Sequence, residues 1–412
     1  MVDEQTFTVM AISTVMLTGI STPIVKILYD PSKKYSALFR RRTLEHTSPD
    51  SELRLLACIY HQDNTPTIIN LLKISNSTPQ NPICLHVIHL MKLTGRSHPL
   101  FISHDQQRKR NSPHSSHSES IINAFKLYEE YNKEKVVVKS YTAIAPYATM
   151  HDEICMLAME KRTSMVIIPF HKLWTASGVE ESTKPLRAVN RHVLRTAPCS
   201  VGILVDRGTL SGTNCITSLD FYSIGVIFLE GADDREALAY ASLMAEHPNV
   251  RVTLVRLLVP RRKSRVRINR DHDTFMIKRF KNANLRTKHH IYREELVDDS
   301  VEMINVIRSL ENCFDLVLLG RRHEGDSPLF IGLNEWNEFP ELGFLGDMLV
   351  SSDSNLEASV LVVQQQQQLV TDDMPGESLK FLSLEDSFPT SIPHGPSFTL
   401  YNSSLGRSEL DR

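Results

Sequence analysis

Short, unbroken apolar runs recur along the chain, separated by amphipathic segments. This alternation limits the fold more than any other feature. Met165-Val166-Ile167-Ile168 is one such run, and the stretches Leu53 to Tyr60, Ile83 to Leu90 and Ser200 to Asp206 contain others. A strand with solvent on one face alternates apolar and polar side chains. A continuous run therefore predicts a strand covered on both faces, as in a parallel sheet flanked by helices.

The first series of elements is expected over residues 52–208. Leu53–Tyr60 reads as a strand, followed by a helix capped by Thr65 with Pro66 at its first position and Ile68, Ile69 and Leu72 on one face. Next come a strand at Ile83–Leu90, a polar loop over 94–118, a helix at Glu119–Asn132 and a strand at Lys135–Ile144. The series ends with a helix at Thr149–Arg162, a strand at Met165–Pro169, a helix at Lys184–Thr196 and a strand at Ser200–Asp206.

The order then repeats over 209–365. A strand at Tyr222–Leu229 leads to a helix that Asp233 and Glu236 open like a capping box, with Leu238, Ala241, Ser242 and Ala245 on one face. Strands follow at Val250–Val259 and Lys288–Glu294, with a helix near Asp273–Ala283 between them. A helix at Asp298–Glu311 and strands at Phe314–Gly320 and Ser359–Val363 complete the series, with Pro340–Ser351 helical between those strands. Two βαβ series predict an α/β chain with two doubly wound parallel-sheet domains. Beyond them a glutamine run, Gln364–Gln368, leads into a stretch rich in Ser, Pro, Asp and Glu. Residues 366–412 are expected to be a disordered tail.

The start of the chain has a different character. Phe7 to Val25 carries no charged side chain, a length sufficient for a transmembrane helix within residues 1–29. Its Ser and Thr residues, Gly19 and Pro23 suit a helix packed among other membrane helices, with a buried helix of a soluble domain as the alternative. Asp3 and Glu4 argue against a signal peptide. Lys26, Lys33, Lys34, Arg40, Arg41 and Arg42 follow, against the single acid Asp30. That asymmetry places the C-terminal side in the cytosol. The basic linker, residues 30–51, is compatible with contact to anionic headgroups or with simple solvation.

The remaining composition excludes more than it assigns. The chain has 46 basic and 48 acidic residues, so no global charge favours nucleic acid. Its six cysteines form no CxxC pair and several lie in apolar runs, as expected of buried, reduced thiols. No GxSxG, HExxH or P-loop pattern is present, so no enzymatic activity is expected.

Several segments, in this order and spacing, resemble plant members of the monovalent cation:proton antiporter-2 family. They are Asp3-Glu4-Gln5-Thr6-Phe7 through Thr22-Pro23-Ile24-Val25 to Tyr29-Asp30-Pro31-Ser32-Lys33-Lys34-Tyr35; Glu52-Leu53-Arg54 to Cys58 with Asn64-Thr65-Pro66; Ala197 to Gly208; Gly231-Ala232-Asp233-Asp234-Arg235-Glu236-Ala237-Leu238; and Leu318-Leu319-Gly320-Arg321-Arg322 with Glu341-Leu342-Gly343. The resemblance implies exchange of potassium or another monovalent cation for protons, and a part in cation and pH homeostasis. It implies an endomembrane or plasma-membrane location and a homodimer formed through the family's membrane domain. It also implies a cytosolic tail of universal-stress-protein-like domains that regulates the transporter. The family places further spans, carrying the ion-binding carboxylates, ahead of this region. The one candidate span here has no ionisable residue between Phe7 and Val25. The chain is therefore expected to be the last membrane helix plus the tail, a fragment or short regulatory form that does not transport alone.

Nucleotide binding, ATP in particular, is the one cofactor chemistry the tail suggests. In the first domain the turn Pro169-Phe170-His171-Lys172, with Gly178 beyond, lacks the glycine spacing of a phosphate loop. In the second, Gly320-Arg321-Arg322-His323 follows a strand, with Gly325 and Gly332 beyond and Gly231 and Asp233 expected on the same sheet edge. Arg321 and Arg322 have the chemistry to pair with phosphate oxygens, or else serve structure. A free-standing nucleotide-binding or interaction protein is the alternative reading. His86, His89, His98, His104, His114 and His117 are too loosely spaced to predict a metal site. The stretch Arg261 to Arg267 suits an anionic partner or a solvated loop.

Overall fold

The computed structural model describes residues 42–47, 51–75, 81–95, 98–104, 115–172, 184–208, 210, 221–259, 267–287, 289–310, 312–323, 329, 337–351 and 356–366, with a few positions among the first 20. The expected membrane span falls largely outside these residues, as do the basic linker up to Arg41 and the tail beyond Gln366. Among the described residues, no helix is long and apolar enough to cross a membrane.

The first half begins with strand β1 (Leu53–Ile59), helix α1 (Asn64–Ile74), β2 (Ile83–Lys92), β3 (Leu100–Ser103) and α2 (Ser115–Tyr131). It continues with β4 (Val136–Ala145), α3 (Met150–Glu160), β5 (Met165–Pro169), α4 (Lys184–Thr196) and β6 (Ser200–Val205). The second half runs β7 (Tyr222–Phe228), α5 (Ala232–Met244), β8 (Val250–Leu258), α6 (Arg267–Thr287), β9 (His290–Leu296) and α7 (Ser300–Ser309). It closes with β10 (Leu316–Gly320), a 3-10 turn (Pro340–Leu342), α8 (Gly343–Val350) and β11 (Ser359–Gln364).

All eleven strands belong to one sheet, in the order β3-β4-β2-β1-β5-β6-β11-β10-β7-β8-β9. The two halves were read from sequence as separate sheets; they are fused. Within each half the main strands are parallel, and the halves meet at the antiparallel pair β6–β11, with Ile203 opposite Val362. The seam relates the halves by an approximate two-fold axis normal to the sheet. Each face is therefore covered by helices of both halves: α1, α2, α5 and α6 on one, α3, α4, α7 and α8 on the other. Both β6 and β11 are buried along their whole length, which explains their unbroken apolar sequences. At about 25 cal/mol per Å² of apolar area, a covered seam of this kind holds the halves together strongly.

Several local expectations change. The supposed loop at 94–118 contains β3, an edge strand antiparallel to β4, and the first turn of α2. Its Leu100–Ser103 pattern is half exposed, so it carries no continuous apolar signal. Thr65 does not cap α1, which begins at Asn64; the Asn64 side chain instead accepts from the amides of Tyr60 and His61. Helix α6 is longer than its apolar stripe, because polar residues extend it at both ends. The first glutamines of the run belong to the fold: Gln364 ends β11, and Gln364 and Gln365 are buried.

Candidate functional site

The first turn of α5 holds four consecutive polar residues, Asp233, Asp234, Arg235 and Glu236, and all four are buried. A helix start in water needs one capping side chain. Here Gly231 is the N-cap, with φ 107°, and the four side chains reach elsewhere. The capping box expected from Asp233 and Glu236 does not form.

Asp234 closes the end of β7. Its Oδ2 accepts from the amides of Leu229 (2.8 Å) and Glu230 (2.9 Å), and its Oδ1 accepts from Gly320 (2.9 Å) at the end of β10. His323 Nε2 lies 3.2 Å from Oδ1. Gly320 is required by this approach: a Cβ there would meet Asp234 Oδ1 at 2.4 Å and its backbone N at 2.6 Å. Burial alone would lower the His323 pKa, but the Asp234 carboxylate outweighs it and holds the pKa above the ordinary value.

Asp233 makes a fork with Arg322, Oδ2 to Nε at 2.8 Å and Oδ1 to Nη2 at 2.7 Å. It also accepts from the amides of Arg322 and Gln365, both at 2.9 Å. Arg321 turns the other way, donating to the carbonyls of Glu341 (2.8 Å) and Pro340 (3.0 Å) and to Gln364 Oε1 (2.9 Å). Burial and the neighbouring Arg322 lower its pKa.

Arg235 and Glu236 bind the segment that leads into the fold. Arg235 pairs with Glu45 (2.9 Å) and Asp273 (2.6 Å), and Asp273 Oδ2 also takes the Gly231 amide. Burial raises the Asp273 pKa against the pull of Arg235. Glu236 accepts from the amides of Leu44 (2.6 Å) and Glu45 (3.1 Å) and from Gln365 Nε2 (3.1 Å). Burial raises the Glu236 pKa, and hydrogen bonds from Ser200, Leu44, Gln365 and Glu45 oppose that rise. Gln366 Oε1 in turn accepts from the Arg42 amide at 2.9 Å.

The five residues singled out from sequence, Gly231, Asp233, Gly320, Arg321 and Arg322, therefore do meet on one sheet edge. Their polar groups face the protein. The Asp234 carboxylate sits where the Gly320 amide would otherwise meet a phosphate, and both arginines bind protein oxygens. Sequence reasoning did not place Asp234, Glu236, Asp273, Glu45 or Gln365 in the site. One signal was available: four polar residues at a helix start, followed at once by the apolar face, exceed what capping uses.

A second cluster joins the halves on the other face. Arg187 Nε lies 2.9 Å and His171 Nδ1 3.4 Å from the fully buried Glu341. Lys172 reaches Glu338 at 3.2 Å and covers the Phe339 ring at 4.3 Å. Burial, with Arg187 and Lys172 nearby, pushes the His171 pKa down to about 4. The histidines noted in the first half do not converge: His89 meets Ser118 and His104 meets Thr142, while His114 is outside the described residues. Among the described residues no group of three metal-ligating side chains occurs. Of the basic stretch, Arg261 to Val266 lie outside the described residues, as do Gly178, Gly325 and Gly332.

Comparison with known proteins adds to this geometry. Residues 85–209 match a domain described as "Plant cation/H(+) antiporter domain", and residues 221–364 match "Plant cation/H(+) antiporter, C-terminal domain". The Arabidopsis thaliana protein Cation/H(+) antiporter 15 is 43% identical, covering 88% of this chain and 47% of that protein. Cation/H(+) antiporter 14 is 39% identical over 89% of this chain and 44% of its own length, and Cation/H(+) symporter 13 is 38% identical over 94% and 45%. The chain thus spans about half the length of the relatives it matches. A universal stress protein from Archaeoglobus fulgidus superposes with a TM-score of 0.43 at 12% identity, over 76% of this chain and 97% of that one, a likeness too loose to bear on function.

Proposed function

The chain belongs to the plant cation/H(+) antiporter family, and from that premise we propose that residues 52–208 and 209–365 are two domains of a cytosolic regulatory region, not an ion path. One observation carries this reading. Glu236, at the start of α5, receives the lead-in segment through Leu44 and Glu45 and the end of β11 through Gln365. The lead-in segment is thereby fixed to the second half, and Arg42 ties it to the first through the Met159 carbonyl. Such a body is suited to passing a mechanical or binding signal.

The rest of the proposal follows from the family. The cargo of the whole transporter is potassium or another monovalent cation, coupled to protons. The segment 7–25 anchors the chain in an endomembrane or the plasma membrane, and dimers form through the membrane part. The tail itself catalyses no covalent chemistry. One relative is named a symporter, so the direction of coupling is assigned to the membrane part and not to this region.

The experiment is a pair of flux measurements. The 412-residue chain in liposomes by itself is expected to give no potassium-dependent proton movement. Glu236→Ala, placed at the matching position of the 43%-identical relative, is expected to change exchange several-fold at equal abundance in the membrane. Flux from this chain alone, or an unchanged rate in the substituted relative, would sink the reading.

A further inference from the structure

Beside the charged cluster at the start of α5, where the lead-in segment meets the amino ends of β1 and β5, the surface opens into a cleft of about 350 Å³. Its walls carry Arg42, His46, Arg54 and Arg162, with Thr43, Thr47, Ser51 and Ser164 between them and one carboxylate, Glu52. Glu52 is already engaged, accepting from Arg54 Nε at 2.8 Å. Arg42 gives one guanidinium N–H to the Met159 carbonyl at 3.2 Å. The Arg162 guanidinium makes no hydrogen bond or ion pair with any described residue.

Two features show that this grouping is maintained at a cost. Burial lowers the Arg42 pKa, and the like charges of Arg162 and Arg54 lower it further. His86, behind Arg54 on the sheet, is held down at about 4 by burial and by Lys139, Lys161 and Arg54. Arg162 also has a left-handed backbone, with φ 54°, where the chain turns out of α3. Glycine adopts that conformation freely, and a residue with a Cβ bears a modest cost there. The turn carries the Arg162 side chain, whose charge has no partner among the described residues, to the rim of the cleft.

We propose that Arg42, Arg54 and Arg162 form a binding site for a phosphate-bearing anion, either a phosphorylated lipid headgroup or a soluble phosphate compound. Guanidiniums bind phosphate oxygens in pairs, and hydroxyls such as those of Ser51 and Ser164 complete such a shell. Arg42 and Thr43 adjoin Leu44, whose amide is held by Glu236, so a bound anion pins the lead-in segment against the start of α5 from its outer side. The site lies at the amino ends of the first-half strands, away from the carboxyl ends where α/β sheets usually hold ligands. It is distinct from the residues noted for nucleotide, and it does not depend on the regulatory reading.

The test is calorimetric titration of the full chain in neutral detergent with two probes, inorganic pyrophosphate and short-chain phosphatidylinositol 4-phosphate. Saturable heat is expected from at least one, weakened by added salt. Arg162→Gly is expected to cut that affinity at least tenfold while raising the melting temperature, because it removes charge and strain together. Arg54→Gln should weaken binding as well, and Arg308→Ala, an exposed cation of the second half, should not. Tenfold preference for the lipid probe assigns the site to a membrane headgroup; equal or tighter pyrophosphate binding assigns it to a soluble phosphate. No saturable heat with either probe, or affinity unchanged by both Arg162→Gly and Arg54→Gln, would overturn the proposal.

Discussion

At the end of β1, Asn64 Oδ1 accepts from the amides of Tyr60 and His61; at the end of β7, Asp234 Oδ2 accepts from those of Leu229 and Glu230. The two side chains fill the same place in the two halves, each tying the last strand amides to the first turn of the following helix. In the first half the surrounding network is neutral. Tyr60 donates to Asn190 Oδ1 at 2.7 Å, and Asn190 donates to the Pro169 carbonyl at 2.9 Å. In the second half it is charged, with His323 on Asp234 and Arg322 on Asp233. The difference teaches that one backbone problem admits two solutions with different sensitivities. A neutral network costs little desolvation and ignores pH. A buried charged network must be fully partnered, and it fails hard when one member is lost.

Substitutions test that contrast. Asp234→Ala leaves the amides of Leu229, Glu230 and Gly320 without an acceptor and His323 without its carboxylate; a loss of about 3–5 kcal/mol in denaturant unfolding is expected. A loss no larger than that of Asn64→Ala, expected at about 1–2 kcal/mol, would break the comparison. Gly320→Ala drives a methyl into Asp234 and should cost about 1–3 kcal/mol.

Acidity should separate the two charged clusters by sign. His323 binds its proton more tightly folded than unfolded, so its contribution is complete below about 6.5 and fades as pH rises through its higher folded value. His171 does the reverse: its folded value is about 4, so stability falls as pH drops from 6.5 toward 4. Melting followed across pH 4 to 9 should show His323→Gln flattening the alkaline limb and His171→Gln the acid limb. The smallest expected effect is none at this edge: Arg322→Ala should leave the heat of ATP titrated into the full chain unchanged, because Arg321 and Arg322 already hold protein oxygens. Binding lost on Arg322→Ala would show the charged edge to be a ligand site after all.

Much of the fold could be read from the residues. Met165–Pro169 and Lys184–Thr196 fall where their apolar pattern placed them, because a doubly covered strand and a one-faced helix each leave a periodic mark. The fusion of the halves left no such mark. Ser200–Val205 and Ser359–Gln364 look like any buried strand, and nothing in either says that the other is its neighbour. The site residues Gly231, Asp233, Gly320, Arg321 and Arg322 were legible as a group sharing one edge, since strand ends bring them there. Their partners were not. Glu45 and Asp273 reach Arg235 across long stretches of chain, and pairing over such separations has no local signature.

The grip of Glu236 on Leu44 and Glu45 has a mechanical consequence. A tether attached at the rim of a plate turns the plate; one attached at its midline lifts or twists it as a whole. Here the point of attachment adjoins the β6–β11 seam, through Ser200 and Gln366. Force arriving along the chain ahead of Arg42 is thus shared at once between both lobes, with neither serving as a free arm for the other to swing on.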